Sequence, residues 1–336
     1  MPERRVAGRY RLLEIIGRGG MGRVWRAADE LLDRPVAVKE MRIDADGLDP
    51  EDTRVRRERA LREARASARI DHPGVVRVYD VAEEDGRLWI VMELVDAPSL
   101  ARYVADGGPL SERDAARVGL ALVAALRRVH AAGVLHRDIK PENVLMGPGG
   151  RVVLTDFGIA AIQDAGRLTQ AGLLVGSPEY MAPERVSGAP QGPPSDLWSL
   201  GATLCAALRG SSPFARESAL TTLVAVLHED PELPPESSGL GPLLAALLAK
   251  EPAGRPGLDE TEAALRAALT ATREAPGTDW RPRVLTALVL LVTAAVAAVM
   301  FFTARDPGGG EPPPGPGSRP PTVAGTSTTP PSGGSG

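Results

Sequence analysis

The chain has 336 residues with 43% hydrophobic side chains, enough to bury one or two sizeable cores. Its formal net charge of -4 argues against nucleic acid as a partner, because a domain built for that task carries a strongly basic face. The single cysteine, Cys205, excludes an internal disulfide, and in the apolar run 197–205 it reads as a small buried filler rather than a nucleophile. Met1-Pro2-Glu3-Arg4-Arg5 lacks the apolar stretch of a secretory signal, so the bulk of the chain is expected in the cytoplasm.

In chain order, residues 10–16, 24–28, 36–41, 75–83 and 88–94 are rich in Val, Ile, Leu and Trp and predict strands. Between the third and fourth, residues 54–70 hold strong helix formers with no Gly or Pro and predict a helix. After Ser99 the pattern turns helical. Ser111 reads as an N-cap for a helix over 115–130, and further helices are expected at 196–209, 219–228, 240–249 and 258–270.

Residues 284–303 are twenty consecutive uncharged positions, which as a helix would span about 30 Å, the thickness of a bilayer core. Arg266, Arg273, Arg281 and Arg283 precede the stretch, whereas only Arg305 and Arg319 follow it, so the N-terminal side is expected to face the cytoplasm. Residues 304–336 are Pro, Gly, Ser and Thr with almost no apolar side chain and are expected to be disordered outside the membrane. No folded sensor is expected there.

The chemistry is written most densely at His136-Arg137-Asp138-Ile139-Lys140-Pro141-Glu142-Asn143, followed eighteen residues after Asp138 by Asp156-Phe157-Gly158. In this order the two segments resemble the catalytic and magnesium loops of a protein kinase, and Lys140 points to the serine/threonine branch. Val36-Ala37-Val38-Lys39 resembles the third-strand lysine motif of the same family. Ile16, Gly17, Arg18, Gly19, Gly20, Met21, Gly22, Arg23 and Val24 resemble its phosphate-covering hairpin. The glycine spacing alone would also suit a dinucleotide fold, but there it should open a helix, and residues 24–27 continue as a strand.

The resemblance covers about residues 10–270 and is closest to bacterial receptor-like serine/threonine kinases. It implies an α+β, bilobal protein-kinase fold, with a small β-rich N-lobe over 10–95 and a larger helical C-lobe over 96–270. A juxtamembrane linker (271–283), one transmembrane helix (284–303) and a disordered extracytoplasmic tail (304–336) would complete the chain. The roles implied are specific. Lys39 would hold the α- and β-phosphates of ATP and be fixed by Glu63, favoured over Glu58 by its distance from Asp71-His72-Pro73. Backbone groups of Glu93 and Val95 would bind adenine behind Met92. Asp138 would orient or accept the substrate hydroxyl proton, Lys140 would neutralise the γ-phosphate, and Asn143 and Asp156 would hold Mg2+, with Mn2+ as the alternative ion. His136 and Phe157 read as packing elements, and Glu184 should pair with Arg255.

Thr169 is the expected autophosphorylation site, its phosphate received by Arg137, and Ser177 belongs to the loop beside the substrate. Protein substrates are implied, favoured near the membrane because a flexible linker over 271–283 reaches only about 20 Å. A homodimer through back-to-back N-lobes is compatible with the resemblance, though no residue pattern shows it. A small-molecule phosphotransferase would not be expected to carry the Ser177 loop or Ala182-Pro183-Glu184. A catalytically silent membrane scaffold would keep the motifs and turn over no ATP.

Overall fold

The N-terminal third alternates short apolar runs with tight turns, and it folds into one six-stranded antiparallel sheet. In the computed structural model, which describes residues 4–19, 22–42, 50–156, 177–234 and 239–274, the sheet order is β1-β2-β3-β4-β6-β5. The strands are β1 (Arg5–Val6), β2 (Tyr10–Gly19), β3 (Gly22–Asp29), β4 (Arg34–Arg42), β5 (Val78–Glu84) and β6 (Arg87–Glu93). Two residues are too few for a periodic signal, so β1 was not foreseeable from pattern alone. Residues 75–77, expected as strand, leave the sheet instead. Val76 N–H donates to Leu154 O at 2.9 Å and Leu154 N–H to Gly74 O at 2.9 Å, tying this segment to the other lobe.

Helix α1 (Pro50–Ser67) lies on this sheet, packing Ala60 and Ala64 against Met41, Leu88 and Ile90. Its remaining length is polar and arginine-rich, so burial of this narrow alanine stripe is what docks it.

The larger lobe is helical. It contains α2 (Leu100–Gly107), α3 (Glu112–Ala131), α4 (Pro183–Val186), α5 (Pro193–Arg209), α6 (Ala219–His228), α7 (Gly241–Leu247) and α8 (Leu258–Glu274). Ser111 caps α3 as expected, accepting from Asp114 N–H at 3.1 Å, and Ser99 does the same for α2 through Arg102 N–H at 3.2 Å. Helix α5 is buried around its whole circumference and forms the axis of the lobe with α3. A Cβ on Gly201 would stand 2.8 Å from Leu247 Cβ, so glycine is what lets α7 approach α5 this closely. Cys205 is fully buried on α5, where burial pushes its thiol up to about 12, in keeping with a packing role.

A two-stranded hairpin, β7 (Val144–Met146) and β8 (Val152–Leu154), sits between the lobes and delivers Asn143 and Asp156 together at its open end, where Thr155 N–H donates to Asn143 O at 2.9 Å. Helix α8 continues to Glu274, past the position where a flexible linker was expected to begin. Met1–Ala275 forms one compact unit, and Pro276–Gly336 is a separate unit outside the described residues. Among the described residues no helix is long and apolar enough to cross a membrane; residues 284–303 and 304–336 are not among them.

Candidate active site

The cleft between the lobes has a volume of about 350 Å³ and is lined by residues from both. Ile16, Gly17, Val24, Ala37 and Met92 come from the sheet, and Leu145, Thr155 and Asp156 from the hairpin below. Glu93, Leu94 and Val95 form the connecting edge. Glu93 N–H is spent on Arg77 O at 2.8 Å, so its carbonyl and the Val95 N–H are the backbone groups left for a flat heterocycle.

Over this cleft, β2 and β3 close as a hairpin with Gly19 opposite Gly22; Gly20 and Met21 lie outside the described residues. Gly22 is in a positive-φ conformation (145°), and a Cβ there would stand 1.9 Å from Glu40 O. Only glycine fits that contact. Arg18 is exposed and Arg23 faces Glu40 across the strand pair.

The catalytic loop is held from beneath by a residue that motif reading passed over. Asp196, fully buried in the first turn of α5, accepts from Arg137 N–H at 2.8 Å and His136 N–H at 2.9 Å. His130 Nε2 lies 2.8 Å from the same carboxylate. Burial works to raise the Asp196 pKa, but the His130 hydrogen bond and the two backbone N–H groups prevail and hold it below the ordinary range. The positive end of the α5 dipole acts in the same direction. An aspartate set in the apolar run Leu197-Trp198-Ser199-Leu200 was the available signal.

That anchor keeps Arg137 at φ 66°, and Asp156 stands at φ 64°; both are costly for residues with a Cβ. His136 is fully buried, and burial keeps its imidazole neutral. Its Nδ1 accepts from Asp138 N–H at 3.3 Å, so Nε2 carries the proton and donates to Thr155 O at 3.0 Å. This is the packing role expected of it.

Above the anchor the three chemical groups of the loop converge. Lys140 Nζ lies 3.0 Å from Asp138 Oδ2, and Asn143 Nδ2 donates to Asp138 Oδ2 at 2.8 Å and Asp138 O at 2.7 Å. Asn143 thus commits its nitrogen to the loop, which leaves its oxygen as the group available to a cation. Lys39 Nζ donates to Asp156 Oδ1 at 2.6 Å. Burial would raise the Asp156 pKa, but the Lys39 charge and hydrogen bond outweigh it and keep the carboxylate ionised. The Asn143 oxygen and the second Asp156 oxygen are hard donors and fit a small divalent cation that takes its other ligands from phosphates and water.

Glu63 is not where the motif placed it. It accepts from Arg137 Nη1 at 3.0 Å and Arg59 Nε at 3.3 Å, while Lys39 is taken by Asp156. The reason is competition: Arg137 presents a planar donor fork to the same carboxylate, and Lys39 already has a partner. Glu58, the alternative, is exposed and pairs with Arg54 at 2.6 Å. Glu63 Oε2 and Arg137 Nε remain buried without a hydrogen-bond partner, so the pair is only half satisfied.

Glu184 and Arg255 form the expected ion pair, bidentate at 2.7 and 2.8 Å and buried. Ser195 Oγ adds a bond to Glu184 at 2.7 Å. Ser177 heads the 3-10 turn Pro178–Tyr180 that leads into Ala182 and α4. Thr169, Phe157 and Gly158 lie outside the described residues.

With this geometry in place, the comparisons agree. Residues 10–265 match the family described as the protein kinase domain. Serine/threonine-protein kinase PknA of Mycobacterium tuberculosis is 41% identical over 257 residues, covering 74% of this chain and 58% of that protein. Serine/threonine-protein kinase PrkC of Bacillus subtilis is 38% identical over 231 residues, covering 69% and 35%. Serine/threonine-protein kinase pkn3 of Myxococcus xanthus is 37% identical over 295 residues, covering 83% and 52%. The chain spans from about a third to three-fifths of the length of these relatives. It belongs to the protein kinase family.

Proposed function

We propose that the chain is a membrane-anchored serine/threonine protein kinase, transferring the γ-phosphoryl group of ATP to Ser or Thr hydroxyls of protein substrates. One observation carries the reading: Asp138, Lys140 and Asn143 are bonded together beside a cleft lined by Asp156, which Lys39 holds at 2.6 Å. Asp138 orients the acceptor hydroxyl and takes its proton as the oxygen attacks the γ-phosphorus and the bond to the leaving ADP oxygen breaks. Lys140 neutralises charge on the transferred group. Asn143 and Asp156 would hold Mg2+, with Mn2+ as an alternative, and the bound ion supplies neutralisation of the phosphate oxygens.

The active arrangement requires Glu63 to leave Arg137 and take Lys39, which frees Asp156 for the metal. A phosphate on Thr169 is the agent we favour, because it competes with Glu63 for the Arg137 fork. The uncharged stretch 284–303 and the arginines before it support a single-pass anchor with the kinase domain cytoplasmic and the tail outside. Substrates close to the membrane follow from that anchor. Leu31 and Leu32, 73% and 55% exposed at the β3–β4 turn, support pairing of two N-lobes.

The test is autophosphorylation of residues 1–275 with MgATP, wild type beside Asp138→Asn. Incorporation abolished by the substitution, with label at Thr169, is the expected result. Equal label in both, or none in wild type even with residues 276–336 present, would leave a silent scaffold as the better description.

A further inference from the structure

The hinge that faces adenine is gripped from behind by a residue of the other lobe. Arg151 is the residue just before β8. Its Nη1 and Nη2 donate to the two Glu93 oxygens at 2.7 and 3.2 Å, and its Nε donates to Pro73 O at 2.9 Å. One guanidinium therefore joins the hinge to the loop that follows α1.

That loop is itself fixed to β8. Leu154 N–H donates to Gly74 O at 2.9 Å and Val76 N–H to Leu154 O at 2.9 Å, two residues before Asp156. The same stretch holds the hinge backbone, since Glu93 N–H donates to Arg77 O at 2.8 Å. Hinge, loop 73–77 and β8 thus form a closed frame, with the adenine edge on one side and the metal-binding aspartate on another. Arg151 closes the frame at the end of β8 opposite Asp156. Its place in the hairpin is set by Gly147 N–H donating to Arg151 O at 2.7 Å.

We propose that Arg151 is a positioning residue for nucleotide binding: by clamping Glu93 to loop 73–77 it sets the spacing between the hinge and Asp156, and so the fit of ATP across the cleft. The inference rests on the kinase reading above. It concerns no atom that reacts, so its signature is in nucleotide affinity rather than in the chemical step. Among the described residues the ion pair farther along the hinge is weaker. There Arg26 reaches Asp96 at 3.3 Å, but Asp96 is 80% exposed and solvent screens the contact.

The experiment uses the full chain and compares Arg151→Ala, Glu93→Ala, the double variant and the charge swap Arg151→Glu with Glu93→Arg. A half-exposed bidentate pair of this kind corresponds to about a fivefold effect. Each single variant should raise KM for ATP about fivefold with kcat within twofold. The double variant should be no worse than either single one, and the swap should recover most of the loss. Unchanged KM in both single variants, additive effects, or a fall in kcat that tracks a lower melting temperature would each overturn the proposal. Wild type without phosphotransfer would instead overturn the kinase reading, so the two failures are told apart by the wild-type control.

Discussion

Replacing Asp196 by Asn changes one atom in the anchor of the catalytic loop and should disable it. The carboxylate accepts from Arg137 N–H through Oδ1, and from His136 N–H and His130 through Oδ2. The amide can keep an oxygen on only one of these sides. With oxygen toward Arg137, the new NH2 faces the His136 N–H, so one charge-assisted bond is lost and a fully buried donor is left unpaired. His130 can change tautomer and accept, which limits the damage on that side. A bond to a charged acceptor contributes about 1.5–3 kcal/mol, and the unpaired donor costs about 1–3 kcal/mol more, so about 3 kcal/mol is expected in total. For a domain of this size that corresponds to a Tm lower by roughly 6–12 °C. The functional effect should exceed the stability effect, because the same bonds enforce the positive φ of Arg137 and thereby aim Asp138. A displacement of about 1 Å at the base can cost about 100-fold, so kcat should fall roughly 10- to 100-fold with KM for ATP within about threefold. Denaturant unfolding and steady-state phosphotransfer on the same preparation measure both. A stability change below about 1 kcal/mol, or the full stability loss with kcat intact, would refute the argument that Asp196 positions the loop.

Three further outcomes are expected. Gly22→Ala should raise KM for ATP and destabilise the N-lobe by at least about 2 kcal/mol, because its Cβ would collide with Glu40 O; a thermal shift without and with nucleotide checks this. Arg255→Ala strands the buried Glu184 carboxylate and should cost about 3–5 kcal/mol in denaturant unfolding, more than any exposed arginine such as Arg54. Between about pH 8.5 and 10 a half-buried lysine and a buried thiol act oppositely. Burial lowers Lys250 to about 8, so the unfolded chain binds the extra proton above that pH and stability rises with pH, whereas Cys205 is held at about 12, so its unfolded thiol ionises first and stability falls. Cys205→Ala should therefore expose a rise in unfolding free energy from pH 8 to 10, and adding Lys250→Met should flatten it.

Much of the chain was legible before any coordinates. The candidate catalytic residues are legible because they sit within single loops, where spacing along the chain is spacing in space: Asp138, Lys140 and Asn143 span six positions and meet directly. Helices with a cap and an apolar face were equally readable, and α6 begins and ends at the residues expected. The strand β1 was missed because two residues carry too little pattern, and α2, which begins just after Ser99 where the pattern turns helical, was given no bounds of its own. Residues 75–77 were misread because their apolar character, which suggested a strand of the sheet, serves instead to join the lobes through Leu154.

The motifs and their order pointed to the family by resemblance, and that resemblance implied the roles of the loop residues and the Glu184–Arg255 pair. What only the tertiary structure decided is which charge meets which. Glu63 has Arg59, Arg137 and Lys39 as possible partners, and the chain order gives no reason to choose Arg137 over Lys39. Asp196 and Arg151 likewise act on groups 59 and 58 residues away. A charge pairs with whatever cation or anion the packed backbone brings within about 3 Å, and that distance is set by how sheet, hairpin and helices stack, which no single stretch of sequence encodes.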